Sequence, residues 1–198
     1  MDRENAYIMT YTGKMLNPFY PKEKLICIED IAHSLSMQCR FNGHVKRFYS
    51  IAEHCMYTAL VLRELGYSAK VQLLGLLHDA SEAYLSDIPA PVKEFLNEYR
   101  EIEFLLNIAI FSKLAPYCYG LTKDELDAIT VVDKELALLE GRKLIGEAEW
   151  NRKKTHFDVN FDTSGELSPK KIEKAFIVLY KALREEAKLE QTTNRARS

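Results

Sequence analysis

The nine residues 76–84, Leu-Leu-His-Asp-Ala-Ser-Glu-Ala-Tyr, decide how the rest of the chain is interpreted. The leucines at their start indicate a buried helix, so His78 and Asp79 stand side by side at the end of an apolar segment. Imidazole and carboxylate groups are both good ligands for divalent metal ions. Because adjacent helical residues point about 100° apart, both can meet one ion only if the helix bends locally. Glu82 follows on the same face, where it would lie beside the ion without having to bind it.

A His-Asp pair alone also occurs by chance, so the metal site depends on further candidate ligands. His54 lies on the preceding predicted helix, although a histidine on a mostly apolar helix is more often a core residue. Asp133 lies in an apolar helical segment, where a carboxylate is costly unless it binds a cation or forms a salt bridge. Together, His54, His78, Asp79 and Asp133 offer two imidazoles and two carboxylates from three helices. That set suits a divalent ion with positions left for water and a phosphate oxygen.

Length and charge place the chain among ordinary globular proteins. Its 198 residues suit a single domain, with a core at about 10–185 and a polar tail at 186–198 that is expected to fray. The net charge of −2 argues against a nucleic acid polymer as partner. The sequence has no apolar run near the roughly 18 residues of a membrane span, and its charged start is unlike a secretory signal, so we expect a cytoplasmic protein. Its four cysteines lack paired spacing, which indicates reduced thiols.

Apolar periodicity and capping signals predict an all-α fold of about six or seven helices. Ser50 with Glu53, and Thr122 with Glu125, have the spacing of capping boxes, which begin helices. The predicted helices span residues 28–37, 51–65, 68–84, a short segment opened by Pro91, 94–117 (one helix or a pair), 122 to about 139, and 168–182. An irregular or short-stranded lead-in is predicted at 7–21 and a polar loop at 150–165.

Five sequence motifs match one protein family. They are Thr10-Tyr-Thr-Gly-Lys, Asp30-Ile-Ala-His-Ser-Leu-Ser, Gln38-Cys-Arg-Phe-Asn-Gly-His, Phe48-Tyr-Ser-Ile-Ala-Glu-His, and residues 77–93, Leu-His-Asp-Ala-Ser-Glu-Ala-Tyr-Leu-Ser-Asp-Ile-Pro-Ala-Pro-Val-Lys. With the order His, His-Asp and a distant Asp, the chain resembles the HD-domain metal-dependent phosphohydrolases. It is most similar to the bacterial and phage branch related to the 5′-deoxynucleotidase YfbR, and the resemblance covers about residues 10–140.

The resemblance implies an HD-domain fold and a catalytic role for two carboxylates beside the four ligands named above. Glu82 would position or deprotonate the attacking water. Asp87 would orient the water or the leaving group, although its place before Ile-Pro also suits a plain turn or helix cap. A carboxylate near a metal-bound water can take its proton, so the chemistry agrees with these roles.

The resemblance also implies substrate contacts in the loop before the second helix and near the Pro-rich break. Arg40 and Lys93 would hold phosphate oxygens, because cations offset the charge of the phosphoryl transition state. Phe41 would stack on the base or sugar, where some relatives have tryptophan, and His44 would contact substrate from the same loop. Taken alone, Lys93 and His44 also suit surface positions and Phe41 a core position. The spacing from Arg40 to His54 is one residue shorter than in the YfbR type.

The histidine count favours one divalent ion. The chain has no histidine between Asp79 and Asp133, whereas two-metal relatives, such as cyclic-nucleotide phosphodiesterases, use additional histidines there. His33 and His156 are interpreted as structural. The ligand types do not distinguish Co²⁺, Mn²⁺, Mg²⁺, Ni²⁺, Fe²⁺ and Zn²⁺.

The resemblance therefore implies a phosphohydrolase that removes phosphate from nucleotides or nucleotide analogues with one, two or three phosphates, stepwise or in one cut. Relatives in this branch include deoxynucleoside triphosphate triphosphohydrolases and the phosphohydrolase of the oxetanocin A antibiotic pathway. The alternatives are a triphosphohydrolase that releases triphosphate whole, an HD module that senses nucleotides without turnover, and a helical interaction protein without metal. A homodimer through the apolar residues 95–114 is a further expectation.

Overall fold

A computed structural model describes residues 2–160 and 167–195, and within them the architecture is helical. Six helices of nine residues or more and two of four residues confirm the all-α prediction. The helices are α1 (Ile28–Met37), α2 (Ile51–Glu64), α3 (Ala69–Leu77), α4 (Glu82–Leu85), α5 (Ala90–Lys93), α6 (Asn97–Leu114), α7 (Lys123–Leu144) and α8 (Pro169–Arg195). The strands β1 (Ile8–Met9) and β2 (Met15–Leu16) form an antiparallel hairpin, as the lead-in predicted. Short 3-10 turns occur at Arg3–Asn5, Glu23–Leu25, Arg40–Gly43 and Glu149–Asn151.

Both predicted capping boxes are present. The Ser50 hydroxyl accepts from the backbone N–H of Glu53 at 3.1 Å, and the Glu53 carboxylate accepts from the N–H of Ser50 at 2.7 Å. Thr122 and Glu125 make the same reciprocal pair at the start of α7. Gly66 follows the end of α2 with a φ of +83°, which glycine adopts without steric cost. Local sequence signals therefore set the ends of these two helices.

The prediction of one helix over residues 68–84 is wrong, because a turn separates α3 from α4. Within the turn the N–H of Ala80 donates to the carbonyl of Leu77 at 3.0 Å, in the tighter i to i+3 pattern. The imidazole of His78 donates from Nδ1 to the carbonyl of Gly75 at 2.8 Å, so the side chain folds back along α3. The turn supplies the local bending that His78 and Asp79 need to meet at one point.

The final helix is longer than predicted. It continues past Ala182 to Arg195, because its apolar stripe continues with Leu183 and Ala187, which are fully buried. Residues 186–195 of the predicted polar tail therefore belong to α8, and residues 196–198 lie outside the described part of the chain.

Two other predicted segments have different bounds in the structure. The helical region predicted at 94–117 is the single helix α6, which begins at Asn97 and ends at Leu114. In the loop predicted at 150–165, the first residues complete the 3-10 turn Glu149–Asn151, and residues 161–166 lie outside the described chain.

The two helices that bracket the site pack directly on each other. α2 and α3 form the most extensive helix pair, α7 packs on α2, and α8 packs across α1 and α3. A Cβ added to Gly75 of α3 would lie 2.4 Å from Cδ1 of Leu62, which is fully buried on α2. Glycine at this position therefore permits the close approach of the helices that carry His54 and His78.

The surface of α6 is partly apolar. Phe104, Leu105 and Ile108 are exposed in the region assigned above to a homodimer interface, and the homodimer stays a prediction. None of the helices in the part of the chain that the structure describes has the length and apolar character that a membrane span requires.

Candidate metal centre

The structure brings the four predicted ligands together from three elements. His54 comes from α2, His78 and Asp79 from the turn after α3, and Asp133 from α7. Nε2 of His54 lies 3.3 Å from Nε2 of His78 and 3.0 Å from Oδ1 of Asp133. Oδ2 of Asp79 lies 3.1 Å from Nε2 of His78 and 3.8 Å from Nε2 of His54. Ligand bonds of about 2.1 Å place neighbouring ligand atoms about 3.0 to 3.4 Å apart. The separations of 3.0 to 3.3 Å lie in this range, whereas Asp79 lies farther from His54, at 3.8 Å.

Hydrogen bonds on the far side of each imidazole orient the two histidines. Nδ1 of His54 lies 2.8 Å from Oε1 of Glu140, and Nδ1 of His78 lies 2.8 Å from the carbonyl oxygen of Gly75. A carboxylate and a carbonyl accept hydrogen bonds, so each Nδ1 carries a proton. In neutral imidazoles, both Nε2 atoms then present lone pairs to each other and to the two aspartates.

Lone pairs that face one another require positive charge between them. Two imidazolium N–H groups would repel across the 3.3 Å between the Nε2 atoms, whereas a cation held by His54, His78 and Asp133, whose ligand atoms lie within 4.8 Å of one another, would compensate these lone pairs. The pKa values of the four side chains also indicate that positive charge is favourable at this position. Burial lowers the pKa of His54 and His78, but nearby carboxylates outweigh burial and raise both. Burial raises the pKa of Asp79 and Asp133, but the imidazoles outweigh it and lower both. The cluster is therefore able to hold a divalent metal ion.

Glu140 of α7 supports this cluster, and the sequence analysis did not identify it. Its fully buried carboxylate accepts from Nδ1 of His54 and from the hydroxyl of Tyr49, each at 2.8 Å. Nε of Arg40 lies 3.1 Å from its other oxygen. Burial opposes ionisation, but His54 and Arg40 outweigh it and lower the pKa of Glu140. The available signal was a carboxylate within the apolar run 136–140, seven residues and two helical turns after Asp133.

A second group of potential ligands shares His78. It consists of Cys55, His78 and Asp79, whose candidate ligand atoms also lie within 4.8 Å of one another. Burial raises the pKa of the Cys55 thiol to about 11, so the thiol stays protonated at neutral pH. The thiolate is the form that binds a metal ion, so the raised pKa of Cys55 opposes the loss of the proton that binding requires. The group of His54, His78 and Asp133 is therefore the better candidate.

Glu82 lies at the start of α4, beside the cluster, and its side chain is buried. Its Oε1 lies 3.4 Å from Nζ of Lys93, and its Oε2 has no hydrogen-bond partner among the described residues. Burial and the negative charges of Asp79 and Asp87 raise the pKa of Glu82 to about 9. The carboxyl group is therefore uncharged at neutral pH unless positive charge is added nearby.

Ser34 of α1 and Gln38, which directly follows α1, hold the backbone of α4, and neither was predicted. The Gln38 amide donates to the carbonyl of Glu82, and the Ser34 hydroxyl donates to the carbonyl of Ala83, both at 3.1 Å. The Gln38 amide also donates to the Ser34 hydroxyl at 3.0 Å. These bonds fix the one-turn helix that carries Glu82. Gln38 is part of a motif quoted above, which was the available signal.

Three more predicted site residues, Arg40, Asp87 and Lys93, have charges near the cluster. Nη1 of Arg40 lies 3.6 Å from Oδ2 of Asp79. Burial and Asp79 raise the pKa of Asp87, although Arg40 opposes the change. The amine of Lys93 lies between Glu82 and Glu103 of α6. The structure thus places Arg40 beside Asp79 and Lys93 beside Glu82, with Asp87 in electrostatic range of Asp79, and the contacts of all three residues with substrate stay predictions.

The loop after α1 carries the last two predicted residues in an uncommon conformation. Phe41 and Asn42 both have left-handed backbones, with φ of +54° and +50°, which costs residues other than glycine about 1–3 kcal/mol each. The guanidinium of Arg40 lies over the Phe41 ring, 5.5 Å from its centroid. His44 is exposed and belongs to neither group of potential ligands. The remaining histidines contact carboxylates away from the cluster, His33 that of Glu173 and His156 that of Glu135.

These features define a helical protein with a candidate metal centre between α2, α7 and the turn after α3. No protein-family model matches the chain. Over 142 residues it is 37% identical to "Uncharacterized protein YfdR" of Escherichia coli (strain K12), which covers 70% of this chain and 72% of that protein. Over 160 residues it is 32% identical to "Uncharacterized protein RCAP_rcc00048" of Rhodobacter capsulatus, with 75% and 79% covered. The chain belongs to the same family as these two proteins. Their names state no activity.

Proposed function

We propose that the protein is a metal-dependent phosphohydrolase of the HD-domain type that acts on nucleotides or nucleotide analogues. The observation that carries this proposal is the orientation of His54 and His78. Both Nδ1 atoms donate away from the site, so both Nε2 atoms face Asp79 and Asp133. The motifs shared with HD phosphohydrolases supply the reaction class.

The four ligands would hold one divalent ion from among those named above. Such an ion polarises a phosphoryl oxygen and lowers the pKa of a water molecule that it binds. The side chains of Asp79 and Asp133 are 19% and 34% exposed, so the ligand set is open to solvent on one side. This opening gives water and substrate a way to reach the cluster.

Glu82 is the group that accepts a proton from the attacking water in this proposal. Its pKa of about 9 depends in part on the negative charge of Asp79. Compensation of that charge by a cation lowers the pKa of Glu82, which moves the carboxyl group toward the range of a general base near neutral pH. The amine of Lys93, 3.4 Å from Oε1, favours the same carboxylate form.

Arg40 and Lys93 provide the positive charge that phosphoryl transfer requires. They lie beside opposite members of the site, Arg40 near Asp79 and Lys93 near Glu82. Cations in such positions offset charge on the non-bridging oxygens in the transition state. Asp87 lies within the electrostatic range of Arg40, Asp79 and Lys93, where it would orient the water or the leaving group.

The test is a phosphate-release assay with metal-stripped protein and each divalent ion in turn. A panel of nucleoside mono-, di- and triphosphates is used, with separate detection of phosphate, pyrophosphate and triphosphate. We expect metal-dependent turnover that is lost in Asp79→Asn and Glu82→Gln and kept in Asp127→Asn, an exposed carboxylate of α7.

The product distinguishes the alternatives. Release of intact triphosphate identifies a triphosphohydrolase. Tight nucleotide binding without turnover under any ion contradicts the hydrolase and favours a sensor. Absence of metal binding by the purified protein contradicts both the hydrolase and the HD-type sensor, and it favours a structural helical protein.

A further inference from the structure

The segment that runs from the end of α4 through α5 carries two of the predicted site residues, Asp87 and Lys93, and it begins with a strained residue. Ser86 has a φ of +75° and a ψ of +153°, a backbone conformation that is almost confined to glycine. Such a conformation persists only where surrounding contacts hold it, and it occurs often at functional sites. The N–H of Ser86 donates to the carbonyl of Glu82 at 2.8 Å, so the strained residue joins the helix of Glu82 to Asp87.

Tyr99, in the first turn of α6, holds Ser86 from the other side. Its hydroxyl donates to the carbonyl of Ser86 at 2.7 Å. This carbonyl belongs to the peptide group between Ser86 and Asp87, so the hydrogen bond fixes the backbone from which the Asp87 side chain extends. The charge of Asp87 lies within the electrostatic range of Arg40 and Asp79. Tyr99 therefore bears on a carboxylate of the site that it does not itself join.

The same tyrosine also contacts Lys93. The amine of Lys93 lies over the Tyr99 ring, 5.5 Å from its centroid, a distance at which an aromatic face attracts a cation. Glu103, one turn later on α6, forms an ion pair with this amine, which also lies 3.4 Å from Oε1 of Glu82. Because lysine carries its charge on a long flexible stem, the ring and the carboxylate of α6 restrict where that charge lies.

Core packing does not account for these contacts of α6. Its buried residues all lie in its second half, at Leu106, Ala109, Ile110 and Leu114. Tyr99 and Glu103 lie in the first half and are only partly buried. Their contacts with Ser86 and Lys93 instead attach the first half of α6 to the segment that carries the predicted site residues.

We propose that Tyr99 is a positioning residue for the reaction, whose hydroxyl fixes the strained backbone before Asp87 and whose ring holds the amine of Lys93. This inference rests on the proposed function, in which Asp87 orients the water or the leaving group and Lys93 holds a phosphate oxygen. Tyr99 acts on the reaction through these two residues.

Hydrolysis kinetics of two Tyr99 variants test the proposal. The substrate is the nucleotide of the panel above that the parent hydrolyses fastest, with the ion that supports it best. Tyr99→Phe removes only the hydroxyl, and its kcat should fall about tenfold with KM nearly unchanged, since misplaced reacting groups can lose roughly 100-fold in rate. Tyr99→Leu also removes the ring, and its KM should rise in addition, because Lys93 then holds phosphate less well.

Ser86→Gly tests whether the hydroxyl acts through the backbone. Glycine adopts the conformation of Ser86 without steric cost, so Tyr99→Phe should lower kcat less in a Ser86→Gly background than in the parent. Metal affinity, measured with a chromophoric chelator, should be the same in the parent and in both Tyr99 variants. Tyr119→Phe, an exposed tyrosine in the connection between α6 and α7, is the control and should match the parent in kcat and KM.

The outcomes are distinct. A kcat of Tyr99→Phe equal to that of an active parent overturns the positioning role and leaves the hydrolase standing. An equal loss of kcat in the parent and Ser86→Gly backgrounds, or a loss of metal affinity, assigns Tyr99 a general structural role and also overturns the proposal. Equal KM values of Tyr99→Leu and Tyr99→Phe overturn the role of the ring. Absence of turnover by the parent with every ion and nucleotide overturns the proposed function and the positioning role with it.

Discussion

The carboxylate of Glu140 lies 2.8 Å from Nδ1 of His54, and this contact decides which nitrogen of the imidazole faces the other ligands. Glu140 is seven residues after Asp133 on α7, so one helix supplies both a candidate ligand and the group that orients a second candidate ligand. The same carboxylate contacts Tyr49 and Arg40. The ligand cluster is therefore supported from behind by a buried ionic network.

Replacement of Glu140 should weaken metal binding without removing a ligand. We expect Glu140→Gln, which keeps an acceptor but loses the charge, to lower the affinity about tenfold, and Glu140→Ala about 100-fold, because groups behind a ligand typically contribute such factors. Competition with a chromophoric chelator measures the affinity, and circular dichroism checks the fold. Asp127→Asn on the exposed face of α7 is the control. Unchanged affinity in a folded Glu140→Ala protein would contradict the orienting role.

Two variants decide between the two groups of potential ligands. Asp133→Asn removes a ligand of the first group and should lower metal affinity by more than about 100-fold, beyond the effect of a supporting group. Cys55→Ser changes the second group with little change of volume and should leave the affinity near that of the parent. His78→Ala belongs to both groups and should abolish binding. Strong loss in Cys55→Ser with little in Asp133→Asn would assign the ion to the second group. Equilibrium dialysis with metal analysis is the measurement.

Glu82 should reduce the stability of the metal-free protein at neutral pH. The pKa of Glu82 is raised from 4.5 to about 9, so the folded state binds more protons than the unfolded state between those values. Stability then falls as the pH rises through this range. Glu82→Gln stays neutral throughout, so we expect equal stability of variant and parent near pH 4 and greater stability of the variant at pH 8.

Urea unfolding of metal-stripped proteins across this pH range measures the difference, and pH effects common to both proteins cancel. A constant difference from pH 4 to pH 8 would show that Glu82 does not titrate in this way. Asp127→Asn, whose carboxylate is exposed, should follow the parent at every pH.

Gly75→Ala should disturb the contact between the two ligand-bearing helices. The new Cβ would lie 2.4 Å from Cδ1 of Leu62, which is fully buried and has little room to move. Overpacking typically costs about 1–3 kcal/mol, against roughly 1 kcal/mol gained when alanine replaces a helical glycine. We expect a net loss of stability and weaker metal binding, because the carbonyl of Gly75 orients His78.

Leu62→Ala provides the matched test, since it opens space opposite Gly75 at a cost of about 2–5 kcal/mol by itself. The double variant should be less destabilised than the sum of the single variants, as neighbouring residues that share a cavity are coupled. Additive losses, measured by chemical denaturation, would contradict a direct clash between the two positions.

The sequence predicted those features that depend on short-range signals. The capping boxes at Ser50 and Thr122 act within three residues, so they located the starts of α2 and α7 correctly. Asp133 was predicted because a carboxylate within an apolar helical segment is costly unless it binds a cation or forms a salt bridge. The same argument applied to Glu140 would have found it, but the sequence does not show that Glu140 faces His54, 86 residues away.

By itself, the sequence determined the helical class, the starts of α2 and α7, and four candidate metal ligands that lie near one another in the structure. Only the tertiary structure decided that α3 ends before His78, that α8 continues to Arg195, and that Trp150 lies beside Phe41. The physical reason is the range of the interactions. Caps and apolar periodicity act over a few residues, whereas the turn at His78, the buried end of α8 and the aromatic pair depend on packing between segments distant in the chain.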